Sequence, residues 1–136
     1  MNGLITDEDY PSITKMLDDI NNKKMIKYVE DNTIKGIVSL SKDIAREYDG
    51  LLENSIENSY IIHRLAVPKE YRKQNIATNL IQYAEVHAQN NEIWVLKCST
   101  EVSNTKMNNL LLREGYKFKG IYSYDDYPGI YNYYEK

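Results

Sequence analysis

The chain has 136 residues and a formal net charge of −3, which suits one compact domain and argues against nucleic-acid binding through a broad basic face. Hydrophobic residues make up 42% of the sequence, enough for a core, yet no apolar stretch approaches the ~20 residues of a membrane span. Cys98 is the single cysteine, so no intramolecular disulfide can form and a reducing compartment fits. The first residues lack a signal-peptide pattern. We therefore expect a single domain over residues 1–136, cytoplasmic, with no membrane partner.

Apolar periodicity and turn residues predict alternating strands and helices. A weak strand opens the chain, and a helix follows over about residues 7–21, capped by Thr6 or Asp7. Strands are predicted at 25–30, 34–40, 60–67, 93–98, 116–122 and 130–134. Two further helices are predicted at 75–89 and 104–114, and Gly115 ends the second. The order predicts an α/β (α+β) fold, a central mixed β-sheet flanked by helices, with a right-handed parallel crossover from Tyr60 to Cys98.

The segment 62–80 has the layout of a phosphate site. An apolar strand ends at Val67-Pro68, a basic loop follows at Arg72-Lys73-Gln74, and a helix opens near Asn75. The first amides of a helix lack helical acceptors, and the helix dipole favours negative charge at that end. The positive charge is local, which suits a small anionic ligand.

Two segments resemble the GNAT superfamily of acyl-CoA-dependent N-acetyltransferases. The run His63-Arg-Leu-Ala-Val-Pro, followed by Tyr71-Arg-Lys-Gln-Asn-Ile-Ala77, is similar to the family's strand and its Arg/Gln-x-x-Gly-x-Gly/Ala pyrophosphate loop. The spacing Asn104-x-x-Met107-x-x-Leu110-Leu111-x-x-x-Gly115-Tyr116 matches the pattern Asn-x-x-Ala-x-x-Leu-Tyr-x-x-x-Gly-Phe. The element order agrees with that fold over most of the chain.

The resemblance implies a GNAT-like acyl-CoA N-acyltransferase fold, with acetyl-CoA as co-substrate and direct transfer of its acetyl group to a primary amine of a small molecule or amino acid. A protein or peptide N-acetyltransferase and a catalytically inactive CoA-binding module are the alternatives, and an α/β interaction domain without CoA is a third. No metal is implied. A homodimer through the edge of the last strands is a possible assembly.

The same resemblance assigns the cofactor-binding residues. Backbone groups of Leu65 and Val67 would pair with the pantetheine arm like an added strand, and Asn104 would contact that arm. The thioester would lie where strands 60–67 and 93–98 splay apart, next to an oxyanion-stabilising backbone N–H. The expected set is Leu65, Ala66, Val67, Arg72, Lys73, Gln74, Asn75, Ile76, Ala77, Thr78 and Asn104.

The chain departs from the family pattern at two positions. Asn75 replaces the loop glycine, and asparagine tolerates positive φ and caps helices, so we expect CoA binding to persist. Leu111 stands where many members have a tyrosine that protonates the departing thiolate. Tyr131, Tyr133 and Tyr134 are possible replacements, and Tyr134 is the residue that we assign.

Four groups of side chains could carry further chemistry. His63 is the candidate base, and the alternative is a buried, hydrogen-bonded histidine. Cys98 in an apolar strand is better interpreted as a small buried hydrophobe than as a nucleophile, and His87 as a solvated or dipole-pairing residue. Some carboxylates could hold a cationic amine or act as base, or else lie in a solvated loop: Glu47, Glu53 and Glu57.

Overall fold

The computed structural model describes residues 17–18, 20–22, 24–42, 59–123 and 129–136. The strands are β1 Met25–Glu30, β2 Thr33–Ser41, β3 Ser59–Ala66, β4 Val95–Glu101, β5 Lys117–Ser123 and β6 Ile130–Glu135. The helices are α1 Ile76–Asn90 and α2 Thr105–Arg113, with a 3₁₀ turn at Lys69–Tyr71. Of the helix predicted at 7–21, the described residues 17, 18, 20 and 21 are helical. Glu47, Glu53 and Glu57 lie outside the described residues.

The strands form a six-stranded sheet in the order β1-β2-β3-β4-β6-β5. β1 and β2 are antiparallel, β3 and β4 are parallel, and β6 is antiparallel to both β4 and β5. The predicted mixed sheet flanked by helices is therefore confirmed, as is the parallel relation of the strands on either side of α1. Within the described ranges, no helix is long and apolar enough to span a membrane.

The chain divides into two compact units, each with its own packing. The first takes the described residues of Met1–Ser41 and His63–Ala84. It contains the β1–β2 hairpin, whose turn residues Asp31 and Asn32 have φ of 52° and 60°, the left-handed conformations that a tight hairpin turn requires. A Cβ at Gly36 would lie 2.8 Å from Ile76 Cγ2 and 3.0 Å from Leu80 Cδ1, so glycine lets α1 approach β2 closely.

The second unit takes the described residues of Lys42–Ile62 and Glu85–Lys136. Its β4, β6 and α2, together with Tyr116 after α2, bury an apolar set that includes Leu96, Cys98, Leu110, Leu111 and Tyr134. On alternate positions the same strands bury a polar set. Lys97 Nζ donates to Ser59 Oγ at 3.0 Å, and Tyr133 Oη donates to Glu135 Oε2 at 3.0 Å.

The strand predicted at 93–98 has different limits in the structure. It begins at Val95 and continues to Glu101. The N–H of Ile93 donates to the Ala88 carbonyl at 2.8 Å, so this residue closes the end of α1 instead of starting the strand. At the other end, register partners on β6 extend the pairing as far as Glu101↔Tyr131.

Candidate functional site

The segment after β3 is tied back onto the end of that strand. Tyr71 and Arg72 donate their N–H groups to the carbonyls of Pro68 and Lys69, at 3.0 and 3.3 Å. The Arg72 side chain donates from Nε to the Val67 carbonyl at 3.3 Å. Arg72, which the sequence predicts to lie at the phosphate, therefore anchors the loop, and it does so through the Val67 carbonyl that was expected to pair with pantetheine.

Two residues of this loop have left-handed backbone conformations. Asn75 has φ of 59°, as its place at the family's glycine position predicts, and Lys73 has φ of 66°. The Asn75 carbonyl accepts from the Asn79 N–H at 2.9 Å, which is the first hydrogen bond of α1. The helix therefore begins at Ile76, one residue later than predicted, because Asn75 lies outside helical φ,ψ space.

Exposure differs sharply across the start of α1. Arg72, Lys73, Gln74 and Asn75 are exposed, whereas Ile76 is buried against β2. Ala77 and Thr78 are half-buried in the first turn. A buried anchor therefore lies directly behind an exposed basic loop, at a helix N-terminus whose amides and dipole favour negative charge.

Strand β3 bends at Arg64. The parallel register with β4 runs from Ser59↔Val95 to Ile62↔Cys98. Two residues later Arg64 has φ of 51°, which an extended strand does not allow and which is typical of a bulge. Leu65 and Val67 are half-buried and Ala66 is exposed beyond this bend.

His63 precedes the bend and is half-buried. Its Nε2 lies 3.1 Å from Oγ of the buried Ser41, the last residue of β2. The hydrogen bond agrees with the alternative interpretation of His63, whereas its half-buried ring does not agree with the burial that this interpretation predicts.

Asn104 caps α2. Its Oδ1 accepts from the Met107 N–H at 3.1 Å, and the residue is exposed. The capped helix ends at Arg113, and Gly115 follows with φ of 90°, as its predicted role in helix termination requires.

The candidate proton donors on β6 are mostly buried. Tyr134 is 2% exposed, and its hydroxyl donates to Asn108 Oδ1 at 2.6 Å. Burial raises the pKa of the Tyr134 phenol, so it stays protonated at neutral pH. Tyr133 is also buried, whereas Tyr131 is half-buried and stacks on Tyr122 with ring centroids 6.3 Å apart. Leu111 is fully buried, which makes it a core residue at the family's tyrosine position.

Cys98 is a small buried residue and His87 is an exposed one, as the sequence predicts. Cys98 is buried, and burial raises the pKa of its thiol to about 12, so the thiolate needed for nucleophilic chemistry does not form near neutral pH. His87 is exposed in the last turn of α1, with its ring 6.2 Å from the Tyr60 ring.

The structure places the predicted residues in both units. His63, Leu65, Ala66, Val67 and the loop residues 72–78 belong to the first, and Asn104 and Tyr134 belong to the second. Sequence reasoning overlooked the left-handed Lys73 and Arg64, for which the residue types give no signal. It also overlooked Asn108, although a second asparagine four residues after Asn104 indicates that both lie on one helix face.

Comparisons with known proteins agree with this architecture. The family model described as Acetyltransferase (GNAT) family matches residues 4–116. A GNAT-family acetyltransferase of Streptococcus agalactiae superimposes with a TM-score of 0.80 at 21% identity, covering 96% of this chain and 75% of its own. A search of curated proteins finds no match.

Two further solved structures with the same fold differ in what they act on. A Brucella melitensis ribosomal-protein-alanine N-acetyltransferase has a TM-score of 0.69 at 15% identity, covering 90% of this chain and 75% of its own. A Bacillus anthracis structure is described as a candidate streptothricin acetyltransferase in complex with acetyl coenzyme A. It has a TM-score of 0.67 at 17% identity, covering 82% of this chain and 60% of its own. At these identities the likeness shows the fold, and the family match shows the family: the chain belongs to the GNAT acetyltransferase family.

Proposed function

We propose that this chain transfers the acetyl group of acetyl-CoA to a primary amine of a small molecule or amino acid. The observation that carries the proposal is the loop at the start of α1, where Asn75 adopts the left-handed φ of 59° that the family's glycine supplies. The helix can then begin immediately behind an exposed basic loop, so its first amides are presented to the pyrophosphate of acetyl-CoA. A complex with acetyl coenzyme A in the Bacillus anthracis structure is consistent with that ligand.

The residues that we assign to acetyl-CoA have distinct roles in this proposal. Residues 73–78 would hold the pyrophosphate, with Arg72 and Lys73 supplying positive charge. Leu65, Ala66 and Val67 would offer backbone groups to the pantetheine arm, and Asn104 would donate from its side-chain amide. No described residue accepts from Asn104 Nδ2, so within the described part of the chain this donor is available to a ligand.

The reaction would depend mainly on positioning, because a neutral amine attacks a thioester directly once the two are aligned. His63 would accept the amine proton, directly or through a water. For Tyr134 to protonate the departing thiolate, its hydroxyl must first leave Asn108 Oδ1. A cytoplasmic location and a homodimer remain predictions.

A turnover assay separates this proposal from its alternatives. Thiol release from acetyl-CoA is measured with a panel of small amines, amino acids and peptides with free N-termini. We expect release that depends on both the protein and a small amine. Release only with peptides would favour the peptide N-acetyltransferase.

Binding measurements decide the cases without turnover. If acetyl-CoA binds and no amine supports release, the chain is a CoA-binding module, the alternative that the buried Leu111 favours. If acetyl-CoA produces no thermal shift and no titration signal, the chain binds no CoA and the proposal is wrong.

A further inference from the structure

Asn108 is a buried amide in the middle of α2, where its neighbours Leu110 and Leu111 are apolar and buried. Its Nδ2 donates to the backbone carbonyls of Glu101 at 3.1 Å, Val102 at 3.4 Å and Asn104 at 2.8 Å. Its Oδ1 accepts from Asn132 Nδ2 at 2.8 Å and from Tyr134 Oη at 2.6 Å. We call these contacts the Asn108 hub.

The hub satisfies the whole hydrogen-bonding capacity of the side chain. An asparagine amide has two N–H donors and one oxygen with two lone pairs, and each is engaged in this position. Burying an amide without partners costs about 1–3 kcal/mol by mutational measures, so a residue of this type is tolerated in an apolar helix face only where all its partners are present.

The hub joins two separate pieces of chain. On one side are the carbonyls of the turn between β4 and α2, and on the other are two side chains of β6. The turn ends at Asn104, whose carbonyl accepts from both the N–H of Asn108 at 3.0 Å and its Nδ2 at 2.8 Å. The position of Asn104 is thereby fixed relative to β6.

We propose that Asn108 is a positioning residue for acetyl-CoA binding, which acts by holding Asn104 where its Nδ2 meets the pantetheine arm. The inference rests on the proposed function, since it takes acetyl-CoA as the ligand. Asn104 Oδ1 is committed to the Met107 N–H, and this fixes the direction of Nδ2. When the turn is no longer held by Asn108, Asn104 still caps the helix, yet its donor is no longer in place for the ligand.

The test compares two ligands on one variant. Asn108→Leu removes the hub with little change in volume, and the matched control is Asn109→Leu, an exposed asparagine one residue further along α2. Each protein is titrated with acetyl-CoA and with ADP, which has the pyrophosphate but no pantetheine arm. We expect Asn108→Leu to weaken acetyl-CoA binding about fivefold, the value of one hydrogen bond, with ADP binding unchanged. Asn109→Leu should change neither.

Other outcomes overturn the inference. Equal losses for the two ligands would mean that Asn108 only supports the fold, and wild-type affinity for acetyl-CoA would mean that it positions nothing. If Asn108→Leu does not fold, Asn108→Asp has the same size, loses the amide donors to the turn, and should show the same selective loss. A wild-type chain that binds no acetyl-CoA would instead refute the proposed function itself.

In a double-mutant cycle, Asn108→Leu should add nothing to the effect of Asn104→Ala on acetyl-CoA binding, because both act through the same contact. Additive effects would contradict the inference.

Discussion

Left-handed residues shape the loop before α1, and they differ in how well their side chains suit that conformation. Asparagine tolerates positive φ, whereas lysine pays a steric penalty of about 1–2 kcal/mol there. Lys73 and Asn75 have φ of 66° and 59°, so the steric penalty of the left-handed conformation is larger for Lys73 than for Asn75. The strain at Lys73 is consistent with a loop held in shape by its neighbours, among them the Arg72 contact to Val67.

Glycine substitutions measure that difference. Lys73→Gly should raise the free energy of unfolding by up to about 1 kcal/mol, because strain is relieved at a positive-φ site. Asn75→Gly should change it by less than about 0.5 kcal/mol. Urea denaturation checks both values, with Lys69→Gly in the neighbouring 3₁₀ turn as a control that should be destabilising. Loss of stability in Lys73→Gly would show that the lysine side chain holds the loop.

The buried thiol of Cys98 should make stability depend on alkaline pH. Its pKa is raised from 9.0 to about 12, so between these values the unfolded chain loses the thiol proton while the folded chain retains it. The free energy of unfolding should therefore fall as pH rises above about 9, by at most ~1.4 kcal/mol per pH unit for this proton.

The contribution of Cys98 is isolated by comparison with Cys98→Ala, since burial also raises the pKa values of the Tyr116 and Tyr134 phenols, whose protons the unfolded chain loses at about pH 10. The wild-type slope should exceed that of the variant. Native protein at pH 8 should also resist a thiol reagent that modifies the unfolded chain. Rapid native modification would contradict the burial on which this prediction depends.

At the scale of elements, the pairing of β4 with β6 buries opposite charges. Lys97 and Glu135 are register partners and both are buried. Burial lowers the pKa of Lys97, and the Glu135 charge offsets part of that effect. The Lys97 ammonium donates to Ser59 Oγ at 3.0 Å, and removing one partner of a buried hydrogen bond generally costs about 1–3 kcal/mol.

Lys97→Met should therefore lower the free energy of unfolding by about 1–3 kcal/mol, because Ser59 Oγ loses this donor and Glu135 loses a cationic neighbour. The double variant Lys97→Met/Glu135→Gln should regain the part of the loss that is due to the Glu135 charge. Urea denaturation of the two single variants and the double variant checks the coupling. Additive losses would show that the charges stabilise the sheet independently.

Sequence patterns located each described strand but not all strand ends, and β4 shows why. Its last residues, Ser99, Thr100 and Glu101, are polar, so the apolar pattern ends at Cys98. They are in the strand because β6 pairs with them. A strand end set by a distant partner leaves no local signal, whereas the end of α2 has one in Gly115.

At the scale of the molecule, element order and the two motifs were sufficient to predict the mixed sheet and the family. The loop could be predicted because its chemistry lies in consecutive residues. The bend at Arg64 could not, because arginine gives no signal for a left-handed conformation, and the Asn108 hub could not, because Asn132 and Tyr134 are far from Asn108 in the sequence. The acceptor amine is equally beyond local patterns, since a fold shared by proteins with different acceptors does not determine the acceptor pocket.

The most direct test of the account is a calorimetric titration of acetyl-CoA into the wild-type chain and two isosteric charge variants. Gln74→Glu places a carboxylate in the exposed loop, and Gln89→Glu places the same charge at the exposed far end of α1. A charge about 4 Å from a phosphate contributes roughly 1 kcal/mol in water, so Gln74→Glu should weaken binding about fivefold and Gln89→Glu should not. Equal affinities for all three proteins, or no binding to the wild type, would contradict a pyrophosphate site at the start of α1.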